Sequence, residues 1–172
     1  MVALSIPNEG IPFDGLVLRL PTAADLERIP VAFAEPDGFT RADLAELVPQ
    51  LTTLVASGRL VPLVVVDVET GEILGGGTFR HLDPTEAIVE IGFWLYPPAR
   101  GRGVATKTAR ALAEHAFGLG ICRVVAHVKA GNSASERVLQ RAGFTREDVS
   151  RSMPAAGGGR IDKTVWSLLP GE

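Results

Sequence analysis

One stretch limits the fold more than any other. Glu90-Ile91-Gly92-Phe93-Trp94-Leu95 reads as a strand, and it runs into Tyr96-Pro97-Pro98-Ala99-Arg100-Gly101-Arg102-Gly103-Val104-Ala105, a basic turn punctuated by glycine. From Ala105 the apolar residues fall at Ala109, Leu112, Ala113, Ala116 and Phe117, the spacing of an amphipathic helix. A strand, a tight turn and a helix in direct succession call for α/β packing, with the turn at the helix N-terminus. There the first backbone N–H groups lack intrahelical partners and the dipole favours anions. Gly101 and Gly103 keep those donors clear of Cβ atoms, and Arg100 and Arg102 add charge. The turn suits a pyrophosphate; the alternative is a glycine-rich loop with two solvated arginines.

A second stretch, Asn132-Ser133-Ala134-Ser135-Glu136-Arg137-Val138-Leu139-Gln140-Arg141-Ala142-Gly143-Phe144, follows the apolar run Val124 to Val128. Arg100-x-x-Gly103-x-Ala105 resembles the acyl-coenzyme A pyrophosphate loop of the GCN5-related N-acetyltransferases. Asn132-x-x-Ser135 closing on Gly143-Phe144 is similar to that superfamily's second cofactor motif. Glu90 to Leu95 most resembles the branch that includes the ribosomal-protein N-terminal acetyltransferases. The motif-bearing similarity spans about Val89 to Phe144, with weaker similarity at Leu16 to Leu26 and Val165 to Leu169.

Composition fits this reading without naming it. The 172 residues, 46% hydrophobic and 22% charged, suit one globular domain over 1–172 with residues 1–14 as an N-terminal extension. A net charge of −3 and the lack of a Lys/Arg cluster argue against a nucleic-acid surface. Met1 to Asp14 carries Glu9 and Asp14 with no basic flank and no long apolar segment, so neither a signal peptide nor a membrane span is expected, and the cytoplasm is the expected compartment. A homodimer is compatible with these features. The single cysteine, Cys122, precludes an internal disulfide and is expected to pack in the interior. His81, His115 and His127 lack ligand-like spacing, so no metal is expected. His115 is expected in solvent and His127 in the core or at the cleft.

Along the chain, Leu16 to Leu20 reads as a strand, and Thr22 with Asp25 starts a helix that Pro30 ends or interrupts. A helical pattern through Leu44, Leu47, Val48, Leu51 and Leu54 contains Pro49, which leaves its continuity open; Ala34 to Arg59 is read as a variable lid. Leu60 to Val68 and Ile73 to Phe79 flank a turn at Glu69 to Glu72, with Pro62 directing the first strand toward an edge or bulge. Gly75 to Gly77 permit close backbone approach. The strand Ala87 to Leu95, the helix to about Phe117, a stop at Gly118 to Gly120 and the strand Arg123 to Lys129 follow. Ser133 and Glu136 read as a capping box for the next helix. Thr145 to Arg151 and Lys163 to Leu169 read as a hairpin around Gly157 to Gly159. The order is that of a mixed α/β domain. The resemblance implies the superfamily's mixed sheet, splayed between Ala87 to Leu95 and Arg123 to Lys129. Such a splay exposes backbone groups on both strands to the amide-bearing arm of acetyl-coenzyme A.

The chemistry of amine acetylation requires a neutral amine, a stabilised thioester oxygen and a place for the departing thiolate. A lysine-type amine is neutral about once in ~2,500 at pH 7 and an α-amine roughly a tenth of the time, so a base matters more for the first. Glu90, the lone carboxylate of an apolar run, must pair, reach water or act as that base, the role that the resemblance implies. The resemblance implies a backbone N–H near Ile91 or Phe93 for the oxyanion. The tyrosine that commonly serves as general acid seven residues after the asparagine is Leu139 here. Either Ser135 donates to the sulfur, or the thiolate leaves unassisted; otherwise Ser135 only satisfies its own helix turn. Asn132 holds the pantetheine or its neighbouring backbone, or acts as an N-cap. The cofactor site is thus expected to comprise Ile91, Phe93, Arg100, Gly101, Arg102, Gly103, Val104, Ala105, Asn132 and Ser135. The acceptor is a protein N-terminus or a small amine.

Two other classes compete. A dinucleotide turn lacks its last glycine, having Thr106, and has Arg123 where an acid is needed; a P-loop needs Gly where Thr106 precedes Lys107-Thr108. A catalytically silent acyl-coenzyme A binder is kept open by the missing tyrosine.

Overall fold

The strand-forming stretches pair into one eight-stranded sheet in the order β1-β2-β3-β4-β5-β6-β8-β7. The computed structural model describes residues 2–29, 41–83, 85–155 and 158–172. The strands are β1 Ile11–Phe13, β2 Leu16–Arg19, β3 Val61–Asp67, β4 Ile73–Asp83, β5 Ile88–Leu95, β6 Arg123–Lys129, β7 Thr145–Pro154 and β8 Arg160–Leu168. The helices are α1 Arg41–Leu47, α2 Leu51–Ser57, α3 Val104–Gly118 and α4 Ser133–Arg141. Every pairing is antiparallel except β5 with β6. Within the stretch expected as an extension, Ile11–Phe13 forms β1 and Leu4 is buried in the main core. Pro30 and residues 34–40 of the expected lid lie outside the described residues, as does Gly157 of the last hairpin's turn.

Local chemistry accounts for most element ends. Pro49 divides the second helical pattern: it sits in a short 3₁₀ turn, Val48–Gln50, between α1 and α2. Thr22 opens a 3₁₀ turn, Ala23–Glu27, where its N–H and hydroxyl donate to Asp25 Oδ2 at 2.7 and 2.9 Å. Pro62 pairs with Thr78, but the ladder to β2 begins only at Val64, so proline's missing N–H falls at a locally open edge. The bulge lies instead between Val65 and Val66.

The sheet is covered unequally. Alternate residues of β3 face opposite sides: Val61, Leu63 and Val65 join the main core with Val89, Ile91, Ala109, Leu112 and Ala116, the face that α3 covers. Val64 and Val66 join a smaller core with Ile29, Leu44 and Tyr96 beneath α1. Gly76 makes room for the Trp94 ring, since a Cβ there would sit 2.2 Å from Trp94 Cζ2. A Cβ on Gly75 would lie equally close to the Trp94 carbonyl oxygen, at 2.2 Å. Close approach is why β4 carries three successive glycines. Trp94 and Trp166 are both buried.

Candidate active site

The site begins where a sheet ladder stops. β5 and β6 pair at Ile88 with Arg123, Val89 with Val124 and Glu90 with Val125, and no further. Beyond Glu90 the two parallel strands part, and β5 backbone groups not bonded to β4 open onto the gap. One cleft, of about 380 Å³, lies on the side of the glycine loop, and a second, of about 260 Å³, on the side of Glu90. Phe93, Asn132 and Ser135 line both.

The loop side is built from backbone. A 3₁₀ turn, Pro97–Ala99, leads from β5 into Gly101 and Gly103, whose φ values are +74° and +77°. This left-handed conformation favours glycine. Gly103 is the N-cap of α3, with no side chain capping the exposed N–H groups, and an added Cβ at either glycine would meet open space. Arg100 is fixed by its Nε, which donates to Leu95 O at 3.0 Å. Arg100, Gly101, Gly103, Val104 and Ala105 all line the larger cleft. Arg102 lines a third groove with Asp14, Asp67 and Lys107, and its charge helps hold the Asp67 carboxyl below its ordinary pKa after the hydrogen bonds from Thr70. An open helix N-terminus, a basic glycine turn and a cleft that reaches the splay fit a pyrophosphate with an extended amide-bearing arm.

Asn132 rather than Ser133 caps α4: its Oδ1 accepts from Ser135 N at 3.2 Å. The expected box therefore does not form, because Glu136 turns to the sheet, where its Oε1 accepts from Thr164 Oγ1 at 3.1 Å. The Ser135 hydroxyl, half-buried, hydrogen-bonds no other described residue. Leu139 is wholly buried in the main core.

On the opposite side Glu90 is partnered. His127 Nδ1 donates to Glu90 Oε1 at 3.0 Å, with the two side chains 15% and 22% exposed. Burial pushes the Glu90 carboxyl up. The His127 hydrogen bond, with the positive charges of His127, Arg80 and Lys163, outweighs burial and holds its pKa below 4.5. His127 thus reaches the cleft rather than the core, and Arg80 and Lys163 join the site without a local sign in the sequence. They come from β6, β4 and β8, and no local pattern fixes those registers. Ile91, buried at 2%, lines this smaller cleft.

Two side chains differ from expectation. Cys122 is exposed, its Sγ directed to Glu86 O at 3.2 Å and Ala87 O at 3.4 Å, because β6 starts only at Arg123. His115 is half-buried, bonded through Nε2 to Ser5 O at 2.8 Å, since the N-terminal stretch folds over α3. Among the described residues, no group of three or more His, Cys, Asp or Glu side chains is placed to hold a metal. No helix among them is long and apolar enough to cross a membrane.

The acetyltransferase (GNAT) domain family matches residues 15–145. The chain belongs to this family. It is 30% identical to the L-methionine sulfoximine/L-methionine sulfone acetyltransferase of Pseudomonas aeruginosa over 158 residues, 84% of this chain and 89% of that one. It is 31% identical to the ribosomal-protein-serine acetyltransferase of Escherichia coli over 77 residues, 44% of this chain and 43% of that protein. The fold matches that of the microcin C7 self-immunity acetyltransferase MccE, solved with acetyl-CoA and AMP, at a TM-score of 0.78 and 21% identity, covering 96% of this chain and 99% of that one. The protein is an N-acetyltransferase of the GNAT family, with acetyl-CoA as its acyl donor.

Proposed function

We propose that this cytoplasmic N-acetyltransferase moves the acetyl group directly to a primary amine, of a protein N-terminus or a small molecule, within a ternary complex. The observation that carries the reading is the meeting of two clefts at the β5–β6 splay, with Phe93, Asn132 and Ser135 common to both. Donor and acceptor can then be bound together, with the thioester between them. Residues 100–105 hold the pyrophosphate through backbone N–H groups and the Arg100 charge. Glu90, ionised at neutral pH, takes the proton from the amine, and His127 orients its carboxylate. A backbone N–H at Ile91 or Phe93 stabilises the charge developing on the thioester oxygen. The unengaged Ser135 hydroxyl is available to protonate the departing sulfur, a role that buried Leu139 cannot fill.

Initial-rate kinetics with both substrates varied tests the order of events. Intersecting double-reciprocal lines are expected. Parallel lines, the mark of a covalent acetyl-enzyme and ping-pong exchange, would overturn direct transfer.

A further inference from the structure

On the acceptor side, four strands contribute to one face of the sheet. Arg80 of β4 stands directly across from Glu90 of β5, and Lys129 of β6 directly across from Lys163 of β8. Cross-strand partners share a face, and His127, two residues before Lys129, lies on it too. All five residues line the smaller cleft. Three permanent cations thus surround one carboxylate, in a chain whose formal net charge is −3. Among the described residues lining this cleft, Glu90 is the only acidic one.

That concentration runs against local stability. Like charges placed directly opposite in neighbouring strands are unfavourable, so the Lys129–Lys163 pair weakens the β6–β8 ladder. Nor do these cations line the cleft at the glycine loop, whose charged lining residues are Arg100 and Arg141. Their charge reaches the proposed reacting centre, because Arg80 and Lys163 both act on the Glu90 carboxylate. A cationic acceptor such as a polyamine would add positive charge to a positive pocket. A zwitterion brings the missing negative charge and presents an amine beside it.

We infer that the acceptor is a small α-amino acid, its carboxylate held by Lys163 and Arg80 while its amine lies at Glu90. This rests on the acceptor-side reading of Glu90 given above. It also separates the two acceptor classes left open there, since the terminal amine of a protein has an uncharged amide where the amino acid has its carboxylate.

The test is a matched panel: free α-amino acids against their α-amides, with spermidine and short N-terminal peptides, assayed by thiol release from acetyl-CoA. The amide has the lower amine pKa and the larger neutral fraction, so by basicity alone it would react faster. The expected result is a kcat/KM about 10- to 100-fold higher for the best acid than for its amide, the range of a charged hydrogen bond. Lys163→Gln should abolish that ratio, leave the Kd for acetyl-CoA unchanged and melt no lower than wild type, because it relieves the opposed lysines. Arg80→Gln should reduce the ratio. An amide acetylated as well as its acid, or a ratio that survives both substitutions, overturns the inference. So does acetylation of peptides or spermidine but of no amino acid, and the transferase reading then stands. Acetyl-CoA binding with no amine turned over would overturn that reading itself, and the inference with it.

Discussion

The two clefts at the splay are made in different ways. The loop-side cleft draws most of its donors from consecutive backbone: residues 100–105 and the start of α3, with Asn132 and Ser135 opening α4. The opposite cleft draws its chemistry from side chains on four strands, Arg80, Glu90, His127 and Lys163, gathered only by sheet register. The first can be encoded in one short motif, and in the proposed function it holds the coenzyme A pyrophosphate. The second depends on long-range pairing, so in the proposed function acceptor preference is expected to change there with little effect on cofactor binding.

The strongest test of this division is Glu90→Gln. Turnover should fall by about 10² to 10⁴ at neutral pH if the carboxylate is the base, with the Kd for acetyl-CoA nearly intact. Calorimetric titration beside steady-state rates checks both halves; an unchanged rate removes Glu90 from the chemistry. The same variant carries a pH signature. A carboxyl whose folded pKa lies below its unfolded value stabilises the fold above the unfolded pKa, and that contribution is lost as pH falls through the folded value. Acid unfolding of the wild type should therefore steepen below about pH 4.5, and Glu90→Gln should flatten that part of the curve.

Gly103→Val attacks the other cleft. At 100 times its Kd, a ligand stabilises the folded state by about 2.7 kcal/mol, and the variant should lose most of that thermal shift, because valine resists the +77° φ that Gly103 adopts. Equal melting shifts in variant and wild type would refute the phosphate-loop assignment. Rates at saturating acetyl-CoA should survive better than in Glu90→Gln, which sharpens the contrast between binding and chemistry.

Smaller effects are expected where the clefts meet. Asn132→Ala removes the cap of α4 and should cost about 0.5 to 2 kcal/mol in a urea unfolding curve. Ser135→Ala leaves that cap in place. It should instead slow pre-steady-state acyl transfer at unchanged affinity for coenzyme A, since a proton given to the leaving sulfur belongs to the transition state. A full-speed Ser135→Ala would mean that the thiolate leaves without a side-chain acid. The smallest effect is that of Arg100→Ala, an exposed charge. It should weaken acetyl-CoA binding modestly, and more at low salt, because screening at 0.1 M acts within about 10 Å.

Much of the fold was legible because its cues are local. The glycine turn marked the start of α3, Gly118 to Gly120 its end, and Arg123 to Lys129 a strand with those very bounds, while Pro49 left open a continuity that the structure breaks between α1 and α2. Where a side chain had a choice of partners, local cues failed. Ser133 and Glu136 have the spacing of a capping box, yet Asn132 takes the cap and Glu136 reaches from α4 to Thr164 on β8. Cys122 seemed to belong to the strand interior but lies just outside it.

The sequence by itself determined the order of elements from β2 onward, the glycine turn that opens α3 and the family, since glycine φ preferences, helix periodicity and motif spacing act over a few residues. It also marked Glu90 as a carboxylate in need of a role. Only the tertiary structure decided what that role has to work with: the β5–β6 ladder stops at Glu90, register sets Arg80 across from it, and His127 and Lys163 arrive from β6 and β8. The reason is physical. Strand pairing joins residues far apart in the chain, and a shift of one residue would turn each of these side chains to the opposite face of the sheet.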